Sequence, residues 1–233
     1  MSAATRASNV RQGEARVLSA EQIVNLQDQE TRTGHQPAAE APAEAPRVKL
    51  ESAQKPKPEL DSDWLELVSR QHGANFELWH IEDEARAPGA TDTELAAVKR
   101  RVDQTNQRRN DLVEALDRAL LAWLVPQGLP NPAAALNSES PGLMIDRLSI
   151  LALKIYHTRE EAGRADAPDG HSARNLARLA ILVEQRADLA ACLDALWRET
   201  LAGTRRFKLY RQLKMYNDPS LNPAIYRTAA QAK

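Results

Sequence analysis

Residues 137–157 read NSESPGLMIDRLSILALKIYH, and this stretch decides the fold. Ser140 is a good helix N-cap and Pro141 suits the first turn, so we predict that a helix begins here. Aliphatic residues then fill most of the circumference of this helix. A helix that is apolar nearly all round is usually central among its neighbours, so we expect the other helices to pack around it.

Four ionisable side chains interrupt this apolar helix: Asp146, Arg147, Lys154 and His157. At about 100° per residue, Asp146 and His157 lie close to one line, and Arg147 and Lys154 lie on the next. A charge that is shielded from water costs free energy unless it is paired. We therefore expect at least partial burial and a polar partner for each group.

The rest of the chain repeats the helical period and shows no alternating strand pattern. The abundant residues are Ala, Leu, Arg and Glu, which are strong helix formers. We predict an all-α fold, an antiparallel four-helix bundle with an extra N-terminal helix and a C-terminal helical extension. The predicted N-caps are Ser19 with Gln22 as the second half of a capping box, Thr91 with Glu94, and Ser140.

The predicted organisation has five parts. A polar tail is followed by a short helix, a linker rich in Pro, Ala and Glu, the folded body and a second tail, at 1–16, 17–35, 36–59, 60–223 and 224–233. Within the body the predicted helices are 61–86, 91–125, one that begins at 140, 173–202 and the basic extension 204–216.

Charge and composition exclude several classes of protein. The 31 Lys and Arg residues balance 32 Asp and Glu residues, which argues against bulk attraction to nucleic acid or to an anionic membrane. The longest apolar run, 119–125, is too short to cross a bilayer, and no signal peptide is apparent. The single cysteine, Cys192, is expected to be inert core. We expect a cytoplasmic protein.

Polar residues on neighbouring helices offer partners for the central one. Asp146 is predicted to pair with Arg109, and Arg147 with Glu82 or Asp83. These pairings place a polar site between the helices predicted at 61–86, 91–125 and 140 onward.

Four strings of the sequence carry a resemblance to a known family. They are ANFELWHIEDEAR (74–86), NQRRND (106–111), NSESPGLMIDRLSILALKIYH (137–157) and KMYNDPSLNP (214–223). Together they resemble the bacterial domain-of-unknown-function family 4254, over roughly 17–35 and 60–223. The resemblance implies no assigned activity. It implies genes beside glycosyltransferases of the heptosyltransferase type, and hence a role in cell-envelope polysaccharide synthesis.

Our first hypothesis is a site that binds an anionic small molecule, such as a sugar phosphate or nucleotide sugar, because Arg grips phosphate through two parallel hydrogen bonds. Whether the site is also catalytic stays open. The candidate ligand-binding residues are Asn106, Arg109, Asn110, Glu139, Arg147 and Lys154. The candidate catalytic residues are His80, Asp83, Asp146 and His157, of which the histidines are suited to proton transfer beside carboxylates.

Other interpretations compete with this one. The polar groups can be a purely structural network in an interaction protein that docks a glycosyltransferase. Glu77 and His80 have the spacing of a di-iron motif, but no second copy occurs. His80 with Glu84 or Asp83 could hold one ion, helped by Asp146 or Glu139. We predict no bound metal, no cofactor, no nucleic-acid partner and no membrane insertion.

Overall fold

The structure is a computed structural model that describes residues 19–36, 60–213 and 220–223. The predicted tails and nearly the whole predicted linker lie outside the described residues, so the domain boundaries stay a prediction. The described part is an all-α fold, as expected. Its helices are α1 (Ala20–Gly34), α2 (Leu60–Glu84), α3 (Asp92–Leu124), α4 (Pro141–Ala162) and α5 (His171–Leu201), with a 3-10 turn at Val125–Gln127.

The helix starts follow the local capping chemistry. Ser19 and Ser140 each accept a hydrogen bond from the backbone N–H three residues later. Thr91 and Glu94 form a complete capping box at the start of α3. The predicted N-caps at Ser19, Thr91 and Ser140 are therefore confirmed, because they depend only on residues within one turn, whereas the capping-box role of the Gln22 side chain stays a prediction.

Helix α4 is central, as its composition predicts. It packs against α1, α2, α3 and α5. The buried core contains Ile145 and Leu148 of α4, with Leu116 of α3 and Leu193 of α5 packed in the same cluster. None of the described helices is long and apolar enough to cross a membrane.

The start of α4 rests directly on α3. Gly142 donates its backbone N–H to Asp117 Oδ1 at 2.7 Å, and a Cβ on Gly142 would lie 2.6 Å from the carbonyl oxygen of Val113. Burial raises the pKa of Asp117 to about 6, against the hydrogen bonds from Ser140 and Gly142 that favour the ionised form. This contact sets how closely the two helices approach.

The predicted C-terminal helical extension is wrong for the described residues up to 213. Gly203, with φ +72°, ends α5. Two short strands, β1 (Ala135–Leu136) and β2 (Arg205–Arg206), then pair in parallel, and residues 207–213 are not helical. Phe207 is buried at 2% exposure, so tertiary contacts hold this segment in place of a helix. Residues 214–216 of the predicted helix lie outside the described part.

The predicted apolar stripe of α5 is only half buried. Its C-terminal half reaches the core through Leu189, Leu193 and Leu196. Its N-terminal half instead exposes four residues that share one helix face: Leu176, Ala180, Val183 and Ala187. Cys192 is also exposed, so the expectation that it belongs to the core is wrong.

Candidate functional site

A buried polar network joins α2, α3 and α4 around Asp146. Asp146 Oδ1 accepts hydrogen bonds from Gln71 Nε2 at 2.6 Å and from Asn75 Nδ2 at 3.0 Å. Arg109 Nε lies 3.8 Å away, so the predicted pairing of Asp146 with Arg109 is confirmed. Burial raises the pKa of Asp146, while Arg109 and Asn75 act in the opposite direction. Oδ1 of this carboxylate is thus held by groups from both α2 and α3.

A second layer of the network ties α1 to α2 and α4. His72 Nδ1 lies 2.8 Å from Ser149 Oγ, and His72 Nε2 lies 3.0 Å from Thr31 Oγ1. Burial lowers the pKa of His72 to about 4, so the ring is neutral near pH 7. Asn75 also donates to Ser149 Oγ at 2.9 Å, which joins the two layers. The network ties α1, α2, α3 and α4 together, and this indicates a role in fixing the packing of these helices, although Gln71 Oε1 and Arg109 Nε have no hydrogen-bond partner among the described residues.

Two buried groups, His72 and Asp117, should change the stability of the fold in opposite directions as the pH falls. His72 binds a proton in the unfolded chain below about pH 6.5 but in the folded chain only near pH 4, so its contribution to stability falls as the pH falls between those values. The pKa of Asp117 is higher in the folded than in the unfolded chain, so its contribution to the free energy of unfolding increases as the pH falls from about 6 towards 4. We expect the two effects to oppose each other in the wild type.

The substitution Asp117→Asn removes the contribution of Asp117 to this pH dependence and leaves that of His72. From pH 6.0 to 4.5 the variant should lose about 1.5 kcal/mol of unfolding free energy relative to the wild-type profile. Urea unfolding at several pH values measures this difference, with Asp188→Asn, at an exposed position on α5, as the control. Parallel profiles for Asp117→Asn and wild type would show that Asp117 is not buried as described.

Two predicted site residues, Arg147 and Lys154, point outward. Both are exposed, which corrects the expectation that they are shielded from water. Arg147 Nη1 donates to both carboxylate oxygens of Glu139, at 2.9 and 2.7 Å, so its predicted pairing with Glu82 or Asp83 is wrong. The physical reason is the rotation of about 100° per residue, which turns Arg147 away from α2 and towards α5.

The predicted site between α2, α3 and α4 corresponds to a surface pocket of 350 Å³. Asp83 and Arg109 line this pocket together with Glu82 and Arg86. The other two candidate ligand-binding residues on α3 are close to Arg109 in sequence. Asn106 is half-buried and Asn110 is buried.

A cluster of three histidines lies at the other end of the interface of α1, α2 and α4. His35 caps α1, His80 belongs to α2 and His157 to α4. One nitrogen of each ring can be chosen so that all three lie within 4.8 Å of one another. In the described part of the chain, this is the one group of three or more histidine, cysteine or acidic residues that could hold a metal ion.

Each histidine uses its Nδ1 atom within the protein. His35 Nδ1 lies 2.7 Å from the carbonyl oxygen of Thr31, and His80 Nδ1 lies 2.8 Å from that of Phe76. His157 Nδ1 lies 3.0 Å from Glu160 Oε2. These oxygens only accept hydrogen bonds in their usual states, so the partners assign the proton to Nδ1 and leave Nε2 as the free nitrogen.

Aromatic rings hold the cluster in place. His35 stacks on Tyr156 with ring centres 4.3 Å apart and an angle of 21°, and it meets Phe76 edge-on. His157 stacks on Trp79 at 4.8 Å and 5°. Burial lowers the pKa of His157, helped by the neighbouring His35 and opposed by Glu160.

Gly34 lets α1 approach this cluster closely. A Cβ at that position would lie 2.7 Å from Cζ of Phe76, so a larger residue would have to displace the Phe76 ring that His35 contacts. The sequence interpretation missed His35 because nothing near it in sequence suggests a site.

The metal ligands considered from the sequence do not come together. Glu77 bonds to Arg108 and Thr105, and Glu84 pairs with Arg101. His80 instead meets histidines from two other helices. The local Glu-x-x-His spacing was therefore misleading.

A groove of 490 Å³ adjoins the cluster between α2, α4 and α5. His157 and Trp79 line both the cluster and this groove, and Lys154, Arg178 and Glu161 line the rest of it. The groove gives the histidine end of the interface access to solvent.

The fold and the site together define an all-α protein with a buried polar network around Asp146 and a histidine cluster beside a surface groove. The chain belongs to the family described as protein of unknown function (DUF4254), whose model matches residues 65–209. No curated protein and no solved structure matches the chain.

Proposed function

We propose that this protein binds an anionic small molecule, of the sugar phosphate or nucleotide sugar class, in the groove between α2, α4 and α5. The observation that carries the proposal is an uncompensated positive charge. Lys154 and Arg178 both line the groove, and neither forms an ion pair with a carboxylate of the described residues. Glu161, which lines the same groove, is engaged by Arg164 at 2.9 Å and by His171 at 2.8 Å.

The chemistry of the groove fits a phosphorylated ligand. A guanidinium group can bind a phosphate through two parallel hydrogen bonds, and an ammonium group acts as a second point charge. Trp79 adds an indole, which offers a flat apolar surface and an N–H donor of the kind found in ligand pockets. Of the ligand-binding residues predicted from the sequence, Lys154 is the one that lines this groove.

The resemblance to glycosyltransferase-neighbouring proteins supports a phosphorylated sugar as the ligand. Such a role would lie in cytoplasmic steps of cell-envelope polysaccharide synthesis, where sugars are carried on phosphate or nucleotide groups. Binding is proposed without a reaction, because Asp146 is buried and its Oδ1 already accepts hydrogen bonds from Gln71 and Asn75.

The proposal is tested by a double variant, Lys154→Ala with Arg178→Ala. We expect the wild-type protein to bind at least one of three probes, inorganic phosphate, glucose 1-phosphate and UDP-glucose, in isothermal titration calorimetry. The double variant should bind that probe about 10- to 100-fold more weakly, because each charge-assisted hydrogen bond contributes about 1.5–3 kcal/mol, of which part is recovered by water.

Arg100→Ala is the matched control, because Arg100 is exposed on α3 and lines none of the grooves described here. The proposal is wrong if no probe binds, or if Arg100→Ala weakens binding as much as the double variant does.

A second candidate function is docking of a protein partner, a glycosyltransferase being the class that the resemblance suggests. It is favoured by the apolar face of α5, where Leu176 and Val183 are 55% and 42% exposed. Exposed aliphatic residues that share one helix face are typical of helix-mediated contacts. The titration above separates the candidates, because docking alone predicts no response to the phosphorylated probes.

A further inference from the structure

We propose that His35, His80 and His157 form a binding site for a divalent transition-metal ion, with zinc as the simplest occupant. The site goes beyond the anion-binding groove and does not depend on it. Three side chains from three different helices converge on one point, with ligand nitrogens within 4.8 Å of one another. The three histidines are not simply neighbours on one face of one helix, because α1, α2 and α4 each supply one ring.

The free nitrogens are the first argument. His35 Nε2 and His157 Nε2 are both buried, and neither has a hydrogen-bond partner among the described residues. Buried polar atoms in folded proteins nearly always have a partner, and an exception needs an explanation. A metal ion that accepts both lone pairs would supply that partner.

The outer hydrogen bonds are the second argument. Metal-binding histidines usually donate the other ring N–H to a backbone carbonyl or a carboxylate, which fixes the tautomer and the orientation of the ring. All three histidines here have that arrangement, with Thr31 and Phe76 as carbonyl partners and Glu160 as the carboxylate. In each ring Nε2 is therefore the nitrogen that is left for a metal ion.

The distances are compatible with an ion. With zinc–nitrogen bonds of about 2.0–2.1 Å, the nitrogens of a tetrahedral site lie about 3.4 Å apart. The separations in the cluster are at most 4.8 Å, so binding an ion would require the nitrogens to move together by up to about 1.4 Å. Stacking on Tyr156 and Trp79 restrains the orientation of two of the rings, those of His35 and His157.

The ligand set selects the class of metal. Imidazole suits zinc, copper, iron and nickel, whereas magnesium and calcium require oxygen ligands. Three protein ligands also leave a fourth tetrahedral position open to water or to an anionic oxygen, as in catalytic rather than structural zinc sites. Because His157 lines the groove as well, the fourth position could accept an oxygen of a ligand bound in the groove. This last point is the one part of the inference that rests on the proposed function.

Metal binding is tested on the full chain, purified without a histidine tag and dialysed against a chelator. Titration calorimetry with zinc should show about one equivalent bound per chain. Replacing zinc with cobalt(II) should give the visible absorption of a four-coordinate site. His80→Gln and His157→Gln should each weaken zinc binding more than about 100-fold, beyond the 10- to 100-fold effect typical of an outer partner.

Two further variants make the result specific. Glu160→Gln should weaken zinc binding by about 10- to 100-fold, because Glu160 holds only the outer nitrogen of His157. His171→Gln is the matched control, because His171 lies outside the cluster and bonds instead to Glu161 and Asn175. This variant should bind zinc as the wild type does.

Failure of the proposal has a clear signature. It is overturned if the wild-type protein takes up no zinc and gives no cobalt spectrum, or if His171→Gln weakens binding as much as His157→Gln. The wild-type measurements do not depend on whether a variant folds. If the wild-type protein binds a phosphorylated probe but no zinc, the metal site alone is refuted. If it binds zinc but no phosphorylated probe, the anion-binding groove alone is refuted.

Discussion

Replacing Asp146 with alanine is expected to lower the free energy of unfolding by about 4 kcal/mol, in the range measured when one partner of a buried ion pair is removed. The substitution leaves Arg109 without its counterion and strips Gln71 Nε2 and Asn75 Nδ2 of their acceptor. Urea unfolding followed by circular dichroism measures the loss. Asp146→Asn, which keeps one acceptor oxygen, should lose less.

Arg147→Ala is the matched control for this prediction. Arg147 is adjacent in sequence but is exposed, and among the described residues its side chain pairs only with Glu139, which is also partly exposed. Surface pairs contribute little, so the loss should stay below about 1 kcal/mol. If Asp146→Ala is as stable as Arg147→Ala, the network does not fix the packing, and Asp146 returns as a candidate for function.

Replacing Gly142 with alanine is the second change with a large expected effect. The added Cβ would lie 2.6 Å from the carbonyl oxygen of Val113 and 2.9 Å from Asp117 Oδ1. Backbone cannot yield as the end of a flexible side chain can, so α4 must move away from α3. We expect a loss of about 3 kcal/mol in unfolding free energy, near the upper end for overpacked cores.

Gly73→Ala is the control, because Gly73 lies within α2 and a Cβ there would meet nothing within 4 Å. Alanine at this position should stabilise the protein by about 0.5–1 kcal/mol, through a less flexible unfolded chain and better helix propensity. Thermal or urea unfolding of both variants gives the comparison. Equal effects at the two glycines would contradict the close contact of α4 with α3.

Features that depend on near neighbours in the chain follow from the sequence. The caps at Ser19, Thr91 and Ser140 use atoms within one turn, and the helix boundaries follow from them and from Gly and Pro. The central place of α4 also follows, since a helix apolar on nearly all sides cannot be stable at the surface. The pairing of Asp146 with Arg109 follows because each occupies an otherwise apolar stripe.

What only the tertiary structure decided concerns groups that are distant in sequence. His35, His80 and His157 meet because three helices cross at one end, and no local spacing records a crossing. The outward direction of Arg147 depends on which side of α4 faces α5, and helical periodicity defines faces without saying what covers them. The sequence by itself therefore determined the helices and their central member, whereas the packing of those helices determined the site.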